Sequence, residues 1–129
     1  MTRTRIVVFR SLLLLSLTVI TQLALTSEHY PVVDDLFGHL FDNANHVLAF
    51  YVLTLLLDFS FPKTNVTFTK VIGLLIYGIL IEILQSLTPY RSPSLVDVIA
   101  DGVGIVSYRL SVPLLSHFPL LRQRWSAQR

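Results

Sequence analysis

The chain has 129 residues, of which 53% are hydrophobic and only 14% are charged, and its formal net charge is +2. A water-soluble domain of this length carries nearer a quarter charged residues, so the composition indicates a chain that largely faces lipid. There is no cysteine, which excludes disulfides and thiolate metal sites, and no basic patch interleaved with aromatic residues, so nucleic-acid binding is not expected. We therefore predict one integral membrane domain that covers residues 1–129.

Four apolar stretches along the chain predict an all-α fold, an integral membrane bundle of four transmembrane helices. The predicted spans are residues 6–25, 46–61, 71–87 and 95–115. The first would be about 30 Å long as a helix, which is enough to cross a bilayer. We interpret it as an uncleaved anchor rather than a signal peptide, because the Leu-Thr-Ser-Glu sequence at its end lacks a clear small-x-small cleavage site.

The segment between the first two predicted spans, residues 26–45, is polar and acidic and contains no Lys or Arg. Phe37, Leu40 and Phe41 interrupt the polar residues, which is typical of a short helix that lies at a membrane interface. The turn between the third and fourth spans is bracketed by Pro89 and Pro93.

The basic residues predict the orientation. Nine of the ten Lys and Arg residues lie on one side of the membrane if all four spans cross it, and only Arg91 lies on the other side with the acidic segment. The positive-inside rule then places both termini in the cytoplasm of a multi-pass membrane protein. The nine residues are Arg3, Arg5, Arg10, Lys63, Lys70, Arg109, Arg122, Arg124 and Arg129.

Helical spacing brings the polar residues of the spans together in the outer half of the membrane. Residues at i, i+4 and i+7 share one helix face, and small residues on such a face let two helices approach closely. The third span has this spacing at Gly78, Glu82 and Gln85, and the fourth has it at Asp97, Asp101 and Gly104. We therefore expect the two glycines to let the third and fourth helices approach each other closely.

These residues predict an outward-facing polar pocket between the second, third and fourth helices. His46 at the start of the second span would complete it, and Arg91 would lie over its mouth. Ionisable groups are costly inside a membrane and are often functional there, so we expect the acids to serve a ligand. For Gln85, and for Asp58 at the other end of the second span, we prefer a purely structural role across the bundle.

The pattern of polar residues resembles that of the VanZ-like family of small bacterial membrane proteins, named after a member associated with teicoplanin resistance. The matching elements are Asp42-x-x-x-His46, Gly78-Ile-Leu-Ile-Glu82-Ile-Leu-Gln85, Pro89-x-Arg91 and Ser94-x-x-Asp97-x-x-Ala100-Asp101-x-x-Gly104. The chain departs from the family pattern twice, with Asn43 where the family usually has Lys and Asp101 where it usually has Asn. Both changes make the cluster more acidic.

The resemblance and the polar residues leave three functions open. The first is a binding or modifying module that engages a cell-envelope lipid, a lipid-linked sugar or an amphiphilic antibiotic and contributes to glycopeptide resistance. The second is a membrane enzyme that uses the Glu, Asp and His residues for acid–base or metal-assisted chemistry, although the chain has no His-Glu-x-x-His motif, nucleophile elbow or phosphate loop. The third is a structural or ion-coupled membrane protein; with four spans and no internal repeat, an ion-coupled transporter would be expected to work as an oligomer. No cofactor is predicted, although a divalent metal stays open because His and carboxylates suit one.

Overall fold

The computed structural model describes residues 1–26, 35–64, 68–89 and 94–126, which form helices and the turns between them. The helices are α1 (Arg3–Thr26), α2 (Asp35–Ser60), α3 (Phe68–Ser86), α4 (Leu95–Leu115) and the short α5 (Pro119–Arg122). The predicted all-α fold is thus confirmed for the part of the chain that is described. The first, third and fourth predicted spans agree with α1, α3 and α4 within a few residues.

The predicted start of the second helix was wrong. We expected a span from residue 46, preceded by a separate interfacial segment, but α2 is continuous from Asp35 to Ser60. The apolar run marks only the part of α2 that packs against other helices. Its first part is more polar and carries only a few apolar residues, yet it continues the same helix, because a helix satisfies its own backbone hydrogen bonds whatever its side chains are.

Contacts between helix ends show that α1, α2, α3 and α4 alternate in direction. At one end of the bundle, Arg10 on α1 donates to the carbonyl of Ser60 at the end of α2 (3.2 Å), and Arg5 donates to Gln123 (2.7 Å). Lys70 at the start of α3 also lies at this end. We call it the basic end. The opposite end, where α1 and α3 finish and α2 and α4 bring Asp42, His46, Asp97 and Asp101, is the acidic end.

The core lies where α1, α2, α3 and α4 meet, and α2 is packed against the other three. Its buried cluster consists of Leu13, Phe50, Leu53, Leu56, Leu74 and Ile105. Gly104 lets α4 approach α2 closely, because a Cβ there would collide with the backbone of Val47 and Tyr51. The sequence predicted that Gly104 would face α3. This prediction was wrong, because Gly104 contacts α2.

Three helices, α1, α3 and α4, are long and apolar enough to cross a membrane by length and composition. They keep their apolar side chains on the outside, as lipid-facing helices do. Leu14 on α1 is 67% exposed and Leu110 on α4 is 75% exposed. The chain is therefore a membrane protein with at least three candidate spans.

Candidate functional site

A cavity of about 740 Å³ lies between α1 and α2 near the acidic end. Its walls are apolar and open outward, since Leu15 on α1 and Leu48 on α2 line it and are 59% and 63% exposed. Its polar lining comes largely from Asp42, Asn45, His46, Gln85 and Asp101. The cavity thus consists of an apolar slot along the side of the bundle and a polar end.

His46 is the centre of that polar end. Its Nδ1 lies 2.7 Å from Oδ1 of Asp101, and its Nε2 lies 3.8 Å from Oδ2 of Asp97. Because an ionised carboxylate only accepts hydrogen bonds, Nδ1 is the protonated nitrogen that donates to Asp101. The contact fixes the ring and directs Nε2 toward Asp97.

Asp42 joins this cluster, although the sequence singled it out only as part of a motif. It precedes His46 by four residues on α2, so the two side chains share a helix face. One ligand atom from each of Asp42, His46 and Asp97 lies within 4.8 Å of the other two. The signal that should have found Asp42 is the i, i+4 spacing of a carboxylate and an imidazole on one helix face.

Helix packing sets the position of Asp101. The residue is 1% exposed, and its Oδ2 lies against Gly78 on α3, where a Cβ would collide with it. Gly78 is therefore the residue that admits the Asp101 carboxylate between α3 and α4. Asp97 is held by the start of α4, where the Ser94 hydroxyl accepts a hydrogen bond from its backbone N–H (3.4 Å).

The other predicted site residues are placed differently. Glu82 is buried and its Oε2 accepts a hydrogen bond from the Ser94 N–H at 2.9 Å, so it holds the chain at the start of α4. Gln85 donates from Nε2 to the carbonyl of Ala24 near the end of α1 (3.0 Å) and also lines the cavity. Arg91 lies outside the described residues. The cavity itself opens between α1 and α2, whereas the sequence placed the pocket among α2, α3 and α4.

A second polar cluster, which the sequence did not predict, lies at the basic end. Arg124 is 1% exposed, and its guanidinium donates to Asp58 Oδ1 (2.7 Å) and to the carbonyls of Asp58 (2.9 Å), Pro62 (2.9 Å) and Thr64 (2.8 Å). Tyr108 on α4 donates to Asp58 Oδ2 at 2.8 Å. The segment after α5 thus folds back onto the ends of α2 and α4.

This second cluster is structural in its chemistry. Both Asp58 oxygens, the Arg124 guanidinium and the Tyr108 hydroxyl all have partners, and Lys70 Nζ lies 3.6 Å from Asp58 Oδ1. Buried polar groups that satisfy one another stabilise a particular packing and leave little capacity for a ligand. The expected structural role of Asp58 agrees with these contacts.

A protein-family model described as VanZ/LLP1 matches residues 2–116. The chain belongs to the VanZ/LLP1 family. The match confirms the resemblance inferred from the motifs, and it covers the cavity and the cluster around His46. Arg124 lies beyond the matched residues. Comparisons with curated proteins and with solved structures gave no match.

Proposed function

We propose that this VanZ/LLP1 protein is a four-span protein of the bacterial inner membrane that binds the polar head of an envelope amphiphile. The bound molecule would be a lipid, a lipid-linked sugar or an amphiphilic antibiotic, held at the acidic end on the outer face. By binding it, the protein would contribute to resistance against glycopeptides and other envelope-active compounds.

The proposed topology makes α2 the fourth span and both termini cytoplasmic. From His46 to Ser60, α2 would be about 22 Å long, so its polar ends would lie near headgroups. The helices alternate in direction, and Arg5, Arg10 and Lys70 lie at one end of the bundle. The positive-inside rule puts such an end in the cytoplasm.

The lack of native cysteine allows a direct test of this topology. Lys63→Cys and Pro89→Cys each introduce one thiol at an exposed turn, the first at the basic end and the second at the acidic end. In intact cells, a membrane-impermeant maleimide should label only Pro89→Cys, and both should react after permeabilisation. Labelling of Lys63→Cys in intact cells would show that the basic end faces outward, which would contradict the proposed orientation.

The observation that carries the ligand proposal is the form of the cavity. An apolar slot that is open along the side of a bundle can accept an acyl chain or another apolar group while that group stays in the bilayer. The polar end then meets the part of the same molecule that lies at headgroup level. A water-soluble ligand would make no favourable contact with the exposed apolar walls at Leu15 and Leu48.

The residues at the polar end indicate which head groups fit. Asp42 and Asp101 line the cavity with His46 and Asn45, so the described lining is rich in hydrogen-bond acceptors. Sugar hydroxyls and amines donate to such groups, and charge-assisted hydrogen bonds to carboxylates are the stronger ones. A lipid-linked sugar or an amine-bearing antibiotic therefore suits the site.

The test blocks the slot without touching its polar end. Ser16 on α1 lines the cavity, and Ser16→Phe would fill part of it. Val106 on α4 is 56% exposed and does not line it, so Val106→Phe is the matched control. In a deletion strain, wild type and Val106→Phe should restore tolerance to envelope antibiotics and Ser16→Phe should not.

Binding is measured in parallel with purified protein in nanodiscs, by the envelope lipids that co-purify with each variant. We expect Ser16→Phe to lose a bound amphiphile that wild type and Val106→Phe retain. Equal tolerance and equal lipid content for all three proteins would contradict the proposal.

A further inference from the structure

The side chain of His46 presents a basic nitrogen to two carboxylates. When Nδ1 donates to Asp101, Nε2 of a neutral ring is an acceptor that can bind a metal ion. It lies 3.8 Å from Asp97 Oδ2. This distance is too long for an N–H···O hydrogen bond between the two groups. Two acceptors that face each other at this distance leave room for a positive ion between them.

The spacing of the three ligand atoms fits a metal ion. Around a tetrahedral ion with bonds of about 2.0–2.2 Å, neighbouring ligand atoms are about 3.3–3.6 Å apart. The 3.8 Å between His46 and Asp97 is close to this, and the 4.8 Å limit that also includes Asp42 needs only a small inward movement. Asp42 is partly exposed at the first part of α2, where such a movement meets little resistance.

Two buried oxygens near the cluster, on Gln85 and Asp101, are a second and independent observation. Gln85 is 1% exposed, lines the same cavity as Asp42 and His46, and its Oε1 has no hydrogen-bond partner among the described residues. The same holds for Oδ2 of Asp101. Buried acceptors without a donor are costly, so their presence at one place points to a positively charged or donating ligand there.

We propose that Asp42, His46 and Asp97 bind a divalent cation at the polar end of the cavity, with Asp101 positioning the imidazole. A histidine that ligates a metal commonly donates its other N–H to a carboxylate, which fixes the tautomer and makes the ligating nitrogen more basic. One imidazole with two carboxylates favours Zn²⁺ or Mn²⁺ over Mg²⁺ and Ca²⁺, which prefer oxygen ligands alone.

Such an ion changes which amphiphile the site accepts, and to that extent this inference rests on the proposed function. A divalent ion would bring positive charge to this end of the cavity, and three protein ligands leave a coordination position open. That position suits a phosphate or carboxylate of the head group, which the acidic side chains alone would repel. The metal then lets an acidic site take an anionic envelope lipid.

The test measures the metal alone, without any amphiphile, so that it can fail separately from the proposed function. Full-length protein in detergent is stripped with a chelator and dialysed against Zn²⁺, Mn²⁺, Mg²⁺ or Ca²⁺, and bound metal is measured by mass spectrometry. His46→Gln is compared with His117→Gln, since His117 is an exposed histidine on the far side of the fold. Asp42→Asn removes a ligand at the partly exposed edge, where loss of folding is least expected.

We expect one equivalent of Zn²⁺ or Mn²⁺ in wild type and in His117→Gln, and at least a tenfold loss of affinity in His46→Gln and Asp42→Asn. Asp101→Ala should weaken binding about 10–100-fold, as for other residues that orient a metal-ligating histidine, and Asp101→Asn should recover part of it because its amide oxygen still accepts from Nδ1. Wild-type binding in both His46→Gln and Asp42→Asn, or no binding by wild type, would overturn the proposal. So would a His46 ring that NMR shows to be doubly protonated with metal present.

Discussion

Replacing Arg124 with alanine should strongly destabilise the bundle. Arg124 lies near the end of the sequence, yet its guanidinium is buried and donates to Asp58 Oδ1 at 2.7 Å. It also donates to the backbone carbonyls of Asp58, Pro62 and Thr64. The substitution removes all of these hydrogen bonds at once and leaves the Asp58 carboxylate without its closest positive charge.

The size of the effect follows from what remains around Asp58. Breaking a buried ion pair by removing one partner costs about 3–5 kcal/mol, because the other charge stays buried without compensation. Asp58 keeps the hydroxyl of Tyr108 at 2.8 Å and has Lys70 Nζ at 3.6 Å, so part of its charge stays compensated. We therefore expect the lower end, about 3 kcal/mol, in the free energy of unfolding.

The assay is reversible unfolding in mixed detergent micelles, followed by circular dichroism. Arg122→Ala is the matched control, because Arg122 is exposed two residues earlier in the same segment, and it should change the free energy of unfolding by less than about 0.5 kcal/mol. Asp58→Asn combined with Arg124→Ala should cost less than the two single effects added together, since the residues are in contact. Equal stability of Arg124→Ala and Arg122→Ala would refute the reasoning.

Two glycine substitutions give further predictions, each with a control on the same helix. Gly104→Ala should destabilise by about 1–3 kcal/mol through overpacking of α4 against α2, whereas Gly102→Ala, which has nothing near its Cβ, should be neutral or stabilising in the same unfolding assay. Gly78→Ala should displace the Asp101 carboxylate and reduce the complementation of antibiotic tolerance more than it reduces stability. Gly73→Ala, which also has open space, should keep both, and equal complementation by the two variants would contradict this role of Gly78.

The sequence predicted the helices well where apolar runs end at strong signals. The boundaries of α3 and α4 follow from the proline-rich turn between them and from Ser94, which caps α4. The continuity of α2 was missed because its first part, from Asp35, is more polar than the rest and was interpreted as a separate interfacial helix. The pairing of His46 with Asp101 was within reach, since alternating helix directions bring both residues to one end.

The basic-end cluster could not be predicted from the sequence. An arginine-rich tail after the last span is the usual mark of a cytoplasmic end, and Arg122 and Arg124 look alike in that respect. Only the fold separates them, because α5 and the turn after it direct one guanidinium into the bundle and leave the other in solvent. The partner, Asp58, lies 66 residues earlier in the chain, and no local pattern links two residues so far apart.

The buried polar groups at the two ends of the bundle differ in how completely they are hydrogen-bonded. This difference is the reason for assigning a structural role to the basic end and proposing a ligand site at the acidic end. At the basic end, Asp58, Tyr108 and Arg124 satisfy one another, as a network does when its use is to hold helices together. At the acidic end, oxygens of Gln85 and Asp101 are buried without a described partner beside an open cavity. A partly satisfied network stabilises less than an apolar core would, so stability alone does not account for it. The proposed ligand, which would supply a cation or a hydrogen-bond donor there, would account for it.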